Sequence, residues 1–153
     1  MLTGPLGAVA DTIDALQRRD STRTWQCLGD FMDVDWDGVD HLIVAAFYSI
    51  TRTQWPQEPL PPHLLGFVKF LTERYDDIVS VPEYVTQAVI RCVYSGDYRV
   101  FSYVPQDTLL TLQLLVVAAI TTHRDLTGER LASFLAGVAA EAEPYRRPSR
   151  LYA

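Results

Sequence analysis

"LLTLQLLVVAAI", Leu109 to Ile120, is the strongest apolar run in the chain, broken only by Thr111 and Gln113. Its twelve residues fall well short of the roughly twenty a bilayer span requires. A helix apolar on every side and too short for a membrane belongs at the centre of a globular core. A central helix is therefore expected over about 106–122, entered after Pro105, and the rest of the chain is expected to wrap around it.

Outward from that segment, apolar residues recur at spacings of three and four and almost nowhere at two, which is the signature of helices. Leu6, Val9, Ile13 and Leu16 mark a first helix after Pro5. Trp25, Leu28, Phe31 and Met32 mark a second, capped at Ser21 or Thr22. Val39, Leu42, Ile43, Ala46, Phe47 and Ile50 mark a third over about 38–53. "QWPQEPLPP" then holds four prolines within seven residues. Proline lacks a backbone donor and keeps its predecessor extended, so residues 54–61 are predicted to be a rigid linker, with Trp55 folded back on the bundle.

Pro61 or Pro62 suits the first turn of a fourth helix reaching about residue 79. Ser80 is expected to cap a fifth, which stops at "SGD" with Gly96 in the left-handed conformation. "YRVFSYV", Tyr98 to Val104, is read as a short helix, since no second strand is present to pair with it. Leu131, Phe134, Leu135 and Val138 define a last helix ending before Pro144. The short turn "THRDLTG" suggests that it lies antiparallel against the central one. The fold class that follows is all-α, a single-domain irregular bundle of six or seven helices over residues 1–143. Residues 144–153 are expected to form an exposed tail.

Length and composition narrow the function. A chain of 153 residues with 48% apolar side chains can bury a full core without staples. Residues 1–10 lack the basic and apolar regions of a secretory signal, so a cytoplasmic protein is expected. Cys27 and Cys92 are too far apart in sequence for a C-x-x-C pair and read as buried thiols. Twelve of the thirteen basic residues are arginine, which suggests a GC-rich bacterial genome. The net charge of −6 is concentrated in residues 1–60, which carry nine acids against four bases. Nucleic-acid binding through phosphates is disfavoured by that balance, and a basic protein partner is favoured. A homo-oligomer is left open, and no membrane association is expected.

The densest acidic stretch is "DVDWDGVDHLIV", Asp33 to Val44. With Asp30, it places five aspartates within eleven residues around Trp36 and Gly38. Asp33, Asp35, Asp37 and Gly38 resemble the first half of an EF-hand calcium loop. The twelfth position of such a loop supplies a bidentate glutamate and here holds Val44, while the eighth, normally apolar, holds Asp40. The resemblance covers half a loop and implies at most a degenerate calcium site. The capping alternative makes Asp37 the N-cap of the third helix with Asp40 completing a capping box. The third reading is a binding surface in which Trp36 is the anchor and Asp30, Asp33, Asp35, Asp37 and Asp40 face a basic partner.

No P-loop, G-x-G-x-x-G or G-x-S-x-G is present, and His41, His63 and His123 lack zinc-ligand spacing. The expectation is thus a non-catalytic protein-binding module, of inhibitor, immunity or adaptor type, without a cofactor or metal. The competing class is an enzyme or small-ligand binder with a pocket among Tyr84, Arg91, Tyr94, Tyr98 and Arg99. An exposed acidic patch centred on Trp36 would favour the first, and a concave site among the tyrosines the second.

Overall fold

The computed structural model describes residues 2–146. Leu109 to Ile120 form the inner part of a helix, α6 (Gln106–His123), whose apolar side chains are buried on all sides. It packs most extensively on α3 (Asp40–Gln54) and α1 (Gly4–Gln17), and also against α4 (Pro61–Tyr75) and α5 (Glu83–Ser95). With α2 (Ser21–Asp33) and α7 (Gly128–Ala140), the described residues form seven α-helices and no strand, a single all-α bundle. None of these helices is long and apolar enough to cross a membrane.

The last helix does not lie where the short turn suggested. α7 packs on α1 and α3 through Leu131, Leu135 and Val138 instead of running along α6. The faces of α6 are already occupied by α3 and α1. Asp125, at φ 60°, turns the chain out of α6, and Leu126 N donates back to Thr121 O at 2.8 Å. The amide of Gln17, at the end of α1, donates to Thr121 Oγ1 and to Leu126 O, each at 2.9 Å, and ties the same corner together.

Several boundaries moved for local reasons. α2 is capped by Asp20, whose carboxylate accepts from Arg23 N at 3.1 Å, in place of Ser21 or Thr22. α4 stops at Tyr75, and Asp76 accepts from Val81 N at 3.1 Å across the following turn. Ser80 caps nothing there, since Pro82 is the residue before α5. Gly96 adopts φ 69° as expected, and Tyr98 to Val104 contains a single 3-10 turn, Arg99–Ser102. Trp55 packs edge-on against Phe67, ring centroids 5.0 Å apart, so the proline linker lies against the bundle. The expected tail begins later than residue 144: Glu143–Tyr145 form a further 3-10 turn, with the Tyr145 ring 5.3 Å from that of Tyr48 on α3. The remainder of it, 147–153, lies outside the described residues.

Candidate functional site

The acidic stretch is the corner between α2 and α3, and its geometry starts with how α2 ends. Trp36 N donates to Phe31 O at 2.8 Å and Asp35 N to Met32 O at 3.0 Å. This pair of bonds is a Schellman stop, which requires a left-handed residue just beyond the helix. Asp35 is that residue, at φ 52°, and Trp36 follows at φ 61°. Glycine ordinarily takes the first position; aspartate tolerates it better than most residues because its short polar side chain can bond locally. The apolar contact that usually completes the motif is also present, the Trp36 ring lying 5.3 Å from that of Phe31.

Trp36 is consequently a core residue, 2% exposed, and is not presented to any partner. That corrects its expected place at the centre of a binding surface. The helix stop explains the split: with the backbone turned at Asp35 and Trp36, the indole goes inward onto Phe31 while Asp33, Asp35 and Asp37 point to water. Capping is corrected as well. α3 begins at Asp40 after Val39, Asp37 caps nothing, and the half-buried Asp40 carboxylate accepts from His41 N at 2.8 Å. Its Oδ1 also lies 3.6 Å from His41 Nδ1. Val44, at the twelfth position of the EF-hand-like register, is buried in the core. Among the described residues, no three His, Cys, Asp or Glu side chains are grouped to share a metal ion.

The remaining aspartates of the corner differ from the aspartates elsewhere among the described residues. Every aspartate carboxylate outside it has a partner: Asp11 and Asp14 meet Arg23, Asp77 meets Arg19, Asp97 meets Arg99, and Asp125 meets Arg130. Asp20, Asp76 and Asp107 accept backbone N–H groups. At Asp14, burial pushes the carboxyl up, but hydrogen bonds from Arg23 and Arg18 outweigh it and hold the group below its ordinary value. The carboxylates of Asp30, Asp33, Asp35 and Asp37 are exposed and have no hydrogen bond or ion pair within the described residues. Among them lie two uncovered apolar side chains, Met32 at 41% and Val34 at 54% exposed. Sequence reasoning placed Met32 in the buried stripe of α2 and passed over Val34. The available signal was the helix end: a chain turned at Asp35 leaves the residues on either side of the stop facing water.

The second candidate region is partly assembled. A cleft of about 480 Å³ runs between α5 and the turn that follows it, and brings together Tyr84, Arg91 and Arg99 of the five residues expected there. Tyr94 and Tyr98 are elsewhere. The Tyr94 hydroxyl donates to Trp55 O at 2.6 Å, and burial pushes it up to about 12. Tyr98 stacks on Phe101, with ring centroids 5.7 Å apart. In their place the cleft gains Tyr103, together with Gln87 and Asp97, which sequence spacing did not single out. Arg99 donates to Asp97 at 2.7 Å and holds that carboxyl down at about 2. The wall is fastened from behind by Cys92, whose thiol donates to Asp97 O at 3.0 Å and is pushed up to about 11, chiefly by burial.

Comparison of the chain with protein-family models, curated proteins and solved structures gives no match.

Proposed function

We propose that this protein is a non-catalytic binding module, an inhibitor of or adaptor to a basic protein, and that it engages its partner through the corner between α2 and α3. What supports the reading is a cluster of unneutralised carboxylates: Asp30, Asp33, Asp35 and Asp37 stand unpaired within eight residues, whereas the other aspartates have partners and the unpaired glutamates, Glu58, Glu73, Glu83, Glu129 and Glu141, are scattered along the chain. Exposed carboxylates raise the local negative potential, steer a basic surface into place and accept arginine or lysine on arrival. Met32 and Val34 supply the apolar contact at the centre that the buried Trp36 cannot. The aliphatic stems of lysine and arginine pack on such side chains while their charged ends reach the surrounding acids. Two free thiols suit a reducing cytoplasm, the compartment proposed for it.

The test is recovery of partners from the native host with wild-type protein and with an Asp33→Asn, Asp35→Asn, Asp37→Asn variant, at two salt concentrations. Asparagine keeps the shape of each side chain and tolerates the left-handed conformation at position 35. A basic protein retained by wild type, released by salt and lost with the equally folded variant is the expected outcome. Identical partners for both proteins would refute the assignment of the corner.

A further inference from the structure

The cleft beside α5 has a chemistry opposite to that of the acidic corner. Tyr84, Gln87, Arg91 and Ser95 follow one another at helical spacing along one wall, and Arg99 and Tyr103 form the other, with Ala88 and Val100 between them. Tyr84 is 81% and Tyr103 61% exposed, and neither hydroxyl has a hydrogen-bond partner among the described residues. Arg91 is the unusual member. Arg18, Arg19, Arg23, Arg99, Arg130 and Arg146 each pair with an acid. Arg52 and Arg74 lie over tyrosine rings, and Arg124 bonds to Gln54 and Thr53 O. The Arg91 guanidinium alone among the described arginines has no such contact.

The one acid in the cleft, Asp97, is already neutralised by Arg99, so the charge left over is that of Arg91. The cleft therefore offers a free cation, two phenols and an amide, with Ala88 and Val100 as its apolar lining. We propose that it is a docking groove for an extended acidic peptide segment of a second partner protein, one side-chain carboxylate of which pairs with Arg91. Guanidinium and carboxylate meet as a two-pronged, charge-assisted pair, and flanking tyrosines pack a peptide backbone at little entropic cost. The volume is within the range of ligand sites, but the cleft is only partly enclosed. A small anion would remain mostly wet there, whereas a peptide running through would cover both walls. The acidic corner of a second copy is a poorer fit, because its backbone is turned at Asp35 and Trp36 and is not extended.

The full chain would be applied to an array of capped peptides with a central Asp or Glu in varied context, alongside the same array carrying Asn or Gln. Retained peptides would then be titrated by fluorescence polarisation. The expected result is carboxylate-dependent binding at least tenfold weaker for the amide peptides, and at least tenfold weaker for Arg91→Ala. Arg91→Lys should recover part of the affinity, and Tyr84→Ala, at an exposed position, should weaken it without altering the fold. The Asp33→Asn, Asp35→Asn, Asp37→Asn variant should bind these peptides like wild type, which separates this proposal from the one for the acidic corner. No preference for carboxylate, or undiminished binding by Arg91→Ala, would overturn it. So would full displacement by free glutamate or inorganic phosphate at equal concentration, which would mark a small-anion site. Self-association abolished both by Arg91→Ala and by the triple asparagine variant would assign the groove to a second copy instead.

Discussion

Asp35 stands where glycine would be more stable, and replacing it separates backbone conformation from charge. An L-residue at φ 52° carries about 1 to 2 kcal/mol of steric cost, with aspartate near the lower end. Asp35→Gly removes that cost and adds back about 0.4 to 1 kcal/mol through the greater freedom of the unfolded chain. Loss of the carboxylate contributes a few tenths more, since two such groups about 7 Å apart in water repel by about 0.6 kcal/mol before salt screens them. The net expectation is a gain of about 0.5 to 1 kcal/mol, or a rise in Tm of about 1 to 4 °C for a chain of this size.

Asp35→Ala is the decisive control, because it relieves the same repulsion while keeping the Cβ and losing the local polar tolerance. Asp35→Asn relieves charge alone. The order of stability by thermal and urea unfolding should be Gly, then Asn, then Asp, with Ala lowest. An alanine variant as stable as the glycine variant would refute the conformational argument and leave repulsion as the cause. Asp125→Gly repeats the test at the end of α6, where φ is 60°. Its ion pair with Arg130 is well exposed on both sides and contributes little. A gain in stability accompanied by a loss of partner at position 35, and by no such loss at position 125, is the result expected if the aspartate is kept for binding.

Trp36→Ala removes a buried indole packed against Phe31 and should cost about 3 to 5 kcal/mol in urea unfolding; a cost below about 1 kcal/mol would mean that the ring is exposed in solution. Asp14→Asn should destabilise the protein by about 1 kcal/mol at neutral pH, the upper end for partly exposed pairs. Because the folded carboxyl titrates below the ordinary value of 3.8, this contribution is complete above the unfolded pKa and is lost as pH falls through the folded one. The two unfolding curves should therefore run apart at pH 5 to 7 and converge below about pH 4. A gap that persisted in acid would assign the loss to something other than the Arg18 and Arg23 contacts.

Local chemistry made much of the architecture legible. Helical spacing, proline positions and the apolar run were enough for an all-α fold, a central helix starting after Pro105, a helix starting at Pro61 and a stop at Gly96, because each depends on residues within a turn or two of one another. The concentration of negative charge in residues 1–60 was equally plain. Which side chains face water was not. The indole of Trp36 is large, apolar and surrounded by acids in sequence, and only the Schellman stop at Asp35, together with the Phe31 ring waiting beneath it, turns it inward and leaves Met32 and Val34 outside. The partner of α7 was likewise hidden in the order of packing around α6, since a short turn limits distance without choosing between neighbours. Pairing of charge is the last such property. An aspartate and the arginine that neutralises it can be far apart in the chain, as Asp77 and Arg19 are, so which carboxylates and which guanidinium stay unpaired, those at 30, 33, 35 and 37 and that of Arg91 among them, becomes visible only in three dimensions.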